Sequence, residues 1–128
     1  MKINFILYVG DQRRSREFYA AALAMEPRLD VPGMTEFELA DGCVLGLMPE
    51  KGIKRLLPGL PDPWAGGGAP RAEVYLTVAD PAAGHARALA AGARELSPLA
   101  ARDWGDAAAY SLDPDGHVLA FAAPASAA

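Results

Sequence analysis

Few residues in this chain have side chains that could do chemistry, and their spacing shortens the list further. Cys43 is the only cysteine. No disulfide can form within the chain, and no cysteine-based zinc site can be assembled. His117 follows the turn sequence Asp113-Pro114-Asp115-Gly116 and shares strand parity with Leu119 and Phe121, which assigns it a structural or surface role. His85 sits on a helix flank near Ala82 and Leu89, with no His, Asp or Glu at ligand spacing, and is also read as structural. The triplet Gly66-Gly67-Gly68 lacks the Lys-Ser/Thr and the following helix that a phosphate-cradling loop needs. Glu73 remains, with Tyr8, Tyr75 and Trp104. A carboxylate of this kind can serve as a general base or pair with a cationic ligand, and the rings can line a site for a planar or cationic group.

These residues must be positioned by short elements that occur twice. Residues 3–9 (Ile-Asn-Phe-Ile-Leu-Tyr-Val) precede Gly10-Asp11 and a helical stretch from Gln12 to Leu23; residues 72–78 (Ala-Glu-Val-Tyr-Leu-Thr-Val) precede Ala79-Asp80 and a second helical stretch opened by Pro81 and closed by Gly92. Each Asp is suited to cap its helix, and each run before it is rich in strand formers. Val9 matches Val78 and Asp11 matches Asp80, both at an offset of 69. The hairpins repeat as well, with Gly42 matching Gly116 and Leu45 matching Leu119 at an offset of 74. About five extra residues therefore enter the second half, and Ser97 to Asp106 is their natural place. Each half reads as strand, helix, strand, then a hairpin turned at Asp-Gly. The strand after each helix falls at Pro27 to Val31 and near Arg94 to Leu99.

The halves are expected at about 1–48 and 72–123, with a linker over 49–71 and a disordered tail over 124–128. Pro58, Pro61, Pro63, Pro70 and the glycine triplet give the linker its composition. Its Trp64 is expected to cover a module edge or sit in an interface. The chain is 128 residues long, 52% hydrophobic and 22% charged, which suits one folded domain. A net charge of -4 with scattered basic residues argues against nucleic acid. The run Arg13, Arg14, Arg16 is read as the solvated face of a helix that turns Phe18, Ala22 and Leu23 inward. No stretch has the form of a signal peptide or reaches the roughly 20 apolar residues of a membrane helix. A soluble cytoplasmic protein is expected.

Tyr8-Val9-Gly10-Asp11 leading to Phe18-Tyr19, then Trp104-Gly105-Asp106 and Asp113-Pro114-Asp115-Gly116-His117, set in two βαβββ modules, resemble the glyoxalase/bleomycin-resistance/dioxygenase superfamily, the vicinal oxygen chelate fold. The resemblance implies an α+β fold whose two modules form an open, cavity-enclosing β-barrel, and a homodimer. Strand parity then turns Ile3, Phe5, Leu7, Val9, Val74, Leu76 and Val78 to the helices, with Cys43, Leu45, Leu47, Leu119 and Phe121. It leaves Asn4, Ile6, Tyr8, Glu73, Tyr75, Thr77, Val44, Gly46, Met48, Val118 and Ala120 facing the cavity.

In metal-dependent members the ligands come from the first and last strands of each module. The resemblance carries those positions onto Asn4, Gly46, Glu73 and Ala120, which cannot supply three or four donors. No metal and no cofactor are therefore expected. Glu73 would be a base, a partner for a cationic ligand, or a former metal position neutralised by an arginine. The leading reading is a metal-independent protein that sequesters a drug or metabolite, aromatic or cationic. Asn4, Ile6, Tyr8, Gly46, Met48, Tyr75, Trp104 and Ala120 would contact that ligand. The alternative is a glyoxalase-like lyase, isomerase or dioxygenase using Glu73 or an unrecognised metal site. A third reading is an assembly partner whose cavity has become solid core; the small Gly46 and Ala120 argue mildly against it, because they make room.

Overall fold

A computed structural model of the protein describes residues 1–125. The first module contains β1 (Ile3–Val9), α1 (Gln12–Leu23), β2 (Leu29–Val31), β3 (Met34–Ala40) and β4 (Cys43–Pro49). The second contains β5 (Glu73–Thr77), α3 (Pro81–Ala90), β6 (Arg94–Ala101), β7 (Asp106–Leu112) and β8 (Val118–Pro124). Both helices start as their caps dictate. Asp11 accepts from the Arg14 backbone N–H at 3.0 Å, and Asp80 from that of Ala83 at 3.1 Å. Each such cap typically contributes about 1 kcal/mol.

Each module forms its own four-stranded sheet, in the orders β1-β4-β3-β2 and β5-β8-β7-β6. Both offsets of the repeat appear in the hydrogen-bonded register. Ile6 lies opposite Gly46 in the parallel pair β1–β4, and Tyr75 lies opposite Ala120 in β5–β8. Glu36 pairs with Gly46, as Tyr110 pairs with Ala120. The inserted residues lengthen β6, whose pairing with β7 shifts register between Glu95 and Ser97 and again between Ser97 and Ala100. Two-residue side-chain alternation then places Leu7, Val9, Leu45, Leu47, Leu119 and Phe121 in one core with Phe18, Tyr19, Ala22 and Ala88 from the helices.

The helices α1 and α3 pack on each other, so the two modules share that core within one chain. A polar clasp fixes the contact. The Tyr19 hydroxyl donates to Asp113 Oδ2 at 2.6 Å, and Asp113 Oδ1 accepts the backbone N–H groups of Asp115 and His117. Asp115 in turn accepts from the Gly10 backbone N–H at 2.8 Å, from Arg14 at 3.0 Å and from the Ser15 hydroxyl at 3.0 Å. His117 Nε2 donates to the Tyr8 carbonyl at 3.0 Å.

Three expectations change. Arg14 is not simply solvated: its helix buries Ser15 and Tyr19 as well as Phe18 and Ala22, because the other module's turn lies against that face. The linker is not featureless. It contains helix α2 (Glu50–Leu56), anchored by the buried Ile53, and a short 3-10 turn at Pro63–Gly66. The last strand continues through Pro124, and the Ala125 N–H bonds to the Gly105 carbonyl at 2.8 Å, so backbone pairing carries order past the expected tail start. The remainder of that tail, 126–128, lies outside the described residues.

The two sheets form no closed barrel among the described residues: β1 and β5 are both edge strands, paired on one side only. Among the described residues, no helix is long and apolar enough to cross a membrane.

Candidate functional site

The face of each sheet opposite its helix carries the residues expected to meet a ligand, and the two faces differ. In the first module the Asn4 amide donates to Glu36 at 3.4 Å, and Arg28 holds Glu36 through its Nε at 3.1 Å and Nη2 at 3.0 Å. Arg28 also reaches Glu38 at 3.1 Å. The Glu36 hydrogen bond holds the Arg28 guanidinium above its ordinary range. Glu36 is 9% exposed, so this is the carboxylate that needs a partner, and it has one. The space over Gly46 is also taken. A Cβ there would lie 2.5 Å from Ile6 Cδ1 and 3.2 Å from Met34 Sδ. The small residue at this position admits Ile6 and Met34, not a ligand as expected from sequence.

The second module carries a different network, with an exposed indole. Tyr75 donates its hydroxyl to Asp106 Oδ2 at 2.6 Å and accepts from the Trp104 indole N–H at 3.0 Å. The bond to Asp106 raises the Tyr75 pKa above the ordinary phenol value, so the ring stays a neutral donor; the indole N–H opposes that shift. Trp104 is 60% exposed although its N–H is fixed. The turn beneath it is held by Arg102 N–H to Asp106 O at 2.7 Å, with Gly105 at φ +96°. The Arg102 guanidinium bonds Ser97 Oγ at 2.7 Å and Ala108 O at 2.8 Å, and lies 5.1 Å from the centre of the Tyr110 ring. Ala120, fully buried, separates Tyr75 from Tyr110 in the sheet.

Glu73 was expected to point into a closed cavity, and it does not. It opens β5 as an exposed residue with no hydrogen-bond partner among the described residues. The nearby phenol that an acid/base pair would need belongs to Asp106 instead. The space between sheets is divided into clefts. One of about 810 Å3 lies between the linker and the end of β1, lined by Ile6, Tyr8, Glu50, Trp64, Arg71 and His117 among others. Another of about 600 Å3 runs between the edge strands β1 and β5, where Ile6, Glu73 and Tyr75 meet apolar side chains. Met48, opposite Tyr8 in register, is half-buried. Asn4, Gly46, Met48, Trp104 and Ala120 line neither of these two clefts.

His117 bridges the modules, and buried His85 sits 2.8 Å from Glu95, a tertiary neighbour that its helix spacing could not reveal. Asp106, Tyr110 and Arg102 were not singled out from sequence, nor were Arg28, Glu36 and Glu38. Hairpin parity was the available signal: Asp106, Ala108 and Tyr110 share the face of Ala120, as Glu36 shares that of Gly46.

A model of the glyoxalase/bleomycin resistance protein/dioxygenase superfamily matches residues 2–121. The chain belongs to this superfamily. Solved structures share the fold. A glyoxalase-related enzyme from Fulvimarina pelagi is 24% identical, with a TM-score of 0.82 over 99% of this chain and 93% of that one. A glyoxalase/bleomycin resistance protein/dioxygenase from Nocardioides is 22% identical, with a TM-score of 0.78 over 100% of this chain and 85% of its own. A protein of Agrobacterium tumefaciens is 29% identical, with a TM-score of 0.73 over 98% of both chains. No curated protein matches the chain significantly.

Metal-dependent members of the superfamily hold a divalent ion at the positions equivalent to Asn4, Gly46, Glu73 and Ala120. The residues present do not fit one. Asn4 is engaged by Glu36, the space at Gly46 is filled, Ala120 has no donor atom, and Glu73 stands alone at the strand start. Among the described residues, no three His, Cys, Asp or Glu side chains are grouped to hold a metal.

Proposed function

We propose that this superfamily member is a small-molecule binding protein that captures a planar aromatic cation without a resident metal, at the exposed indole of its second module. The observation carrying this reading is the chain Trp104–Tyr75–Asp106. It fixes an exposed indole in one orientation beside a carboxylate, so little side-chain freedom is lost when a flat ligand stacks there. Stacking and cation–π attraction each contribute about 0.5–1.5 kcal/mol at such sites, beyond the area they cover. In the first module the Arg28–Glu36 pair occupies the corresponding face instead.

Proflavine, a planar aromatic cation, tests this by equilibrium dialysis with and without chelator. Saturable binding unchanged by chelator is expected, with about a tenfold loss, 1.4 kcal/mol, in each of Trp104→Ala and Asp106→Asn. Binding that requires added Ni, Zn, Mn or Fe(II), or that ignores both substitutions, would overturn it. Near-stoichiometric metal retained through purification would instead move the protein toward the lyase or dioxygenase reading. A homodimer acting in the cytoplasm completes the proposal. It rests on the family likeness alone, and sedimentation at micromolar concentration tests the pairing.

A further inference from the structure

The pseudo-repeat places equivalent positions at both ends of the seam between modules. Where the first module has Gly10, Arg14, Ser15 and Tyr19, the second has Ala79, Ala83, Gly84 and Ala88. Where the second hairpin has Asp113, Asp115 and His117, the first has Leu39, Asp41 and Cys43. Polar groups close one end; at the other the seam stays open as the cleft of about 600 Å3.

We propose that this cleft binds a single-chain amphiphile with an anionic head, an alkyl carboxylate. Its walls include Phe5, Leu23, Met25, Leu39, Leu76 and Phe121, drawn from both modules. Phe5 is 65% exposed at its side, a cost that an alkyl chain laid along β1 removes. The volume lies within the range of about 300–1,000 Å3 typical of small-ligand sites.

Two charged side chains line the cleft, Arg87 and Glu73. Arg87 is the one held in place: its Nε donates to the Ala22 carbonyl at 3.3 Å. No carboxylate pairs with it among the described residues. Arg87 is an exposed residue lining the cleft, and a guanidinium so placed can donate to a carboxylate head while an apolar tail lies along the walls. Glu73 is exposed at the start of β5 and has no comparable anchor. Tyr75 borders both this cleft and the indole site of the second module, but Trp104 and Asp106 do not line the cleft.

Decanoate and decyltrimethylammonium, titrated calorimetrically into the full chain, distinguish the head group. Cys43, the sole thiol, lines the cleft and reports its occupancy through its rate of alkylation by iodoacetamide. One-to-one decanoate binding is expected, at least tenfold tighter than the ammonium. Saturating decanoate should slow Cys43 alkylation at least fivefold. Arg87→Met, which keeps an apolar stem, should weaken decanoate about tenfold while Trp104→Ala leaves it unchanged. The proposal is overturned by absence of saturable binding, by binding that leaves Cys43 unprotected, or by equal affinity for the ammonium. It is also overturned if Cys43 becomes blocked without ligand as the chain self-associates, since a second copy would then be the occupant.

Discussion

At one end of the intermodular seam, Tyr8, Arg14, Ser15 and Tyr19 meet Asp113, Asp115 and His117; at the other, the equivalent positions are Thr77, Ala83, Gly84, Ala88, Leu39, Asp41 and Cys43. The backbone registers are the same at both ends, and five residues separate the equivalent pairs Glu38–Val44 and Leu112–Val118, so the difference arises from side chains and from how the loop residues pair. In the first loop a bulge lets Ala40 pair with Cys43, leaving Asp41-Gly42 as the turn. The second runs from Asp113 to His117 and can fold back on α1. A clasp of buried, mutually satisfied polar groups requires every member. Once Tyr19 and Asp113 are replaced by Ala88 and Leu39, keeping a single polar partner would leave it unpaired in the interior. The second end carries none of the clasp's buried polar pairs, and Ala83, Gly84, Ala88 and Leu39 stand there instead. A duplicated fold can thus use one copy of a contact for cohesion and leave the other copy open.

The largest break in this comparison is expected from Asp113→Ala. It strands the buried Tyr19 hydroxyl and the N–H groups of Asp115 and His117, and should cost about 3 kcal/mol. Urea unfolding measures this through the midpoint at constant slope; a loss under about 1 kcal/mol means the clasp does not hold the modules.

Next is Gly84→Ser, which installs at the open end the residue type found at Ser15. Any Cβ at position 84 enters the space of the Phe121 ring, so a loss of about 2 kcal/mol is expected by overpacking. Unchanged thermal stability would show that the two ends are interchangeable after all.

The smallest effect is expected from Tyr19→Phe, about 1 kcal/mol near neutral pH, and it carries a pH signature. Burial first, and the neighbouring Asp113 second, raise the Tyr19 pKa well above its ordinary 10.0. A raised folded value favours the protonated phenol, so its contribution is complete below pH 10 and declines as pH rises toward the folded value. The gap between the parent and Tyr19→Phe should therefore shrink between pH 9 and 11 in paired urea titrations. A gap that widens there contradicts the buried donor.

Much of the fold was legible because it depends on local pattern. Asp11 and Asp80 cap helices through their own neighbours, and alternation turns Leu7 and Val9 on β1 and Val74 and Leu76 on β5 to the core, although Ile3 and Phe5 of the same parity stay exposed. The offsets of 69 and 74 reappeared as hydrogen-bonded registers because a repeated pattern repeats its pairing. The candidate site was less legible. Parity put Gly46 and Glu73 on the face opposite the helices, but it could not show that Ile6 and Met34 fill the space over one. Nor could it show that the other stands in water at a strand start. Arg28 and Glu36 were invisible for the same reason, since their pairing depends on how β2 and β3 bring the side chains together.

The sequence by itself determined the two modules, their helix starts and the apolar face of each sheet, because each follows from contacts within a few residues or from a two-residue period. It also determined that Gly46 and Ala120, two of the four positions the resemblance points to, carry no side-chain donor, which is a matter of residue type. Only the tertiary structure decided that Trp104 stays exposed with its N–H on Tyr75, that Asp106 engages Tyr75, and that one end of the seam is clasped while the other is a cleft. Those outcomes depend on which side chains from distant segments compete for the same space and the same hydrogen bonds, and no local pattern records that competition.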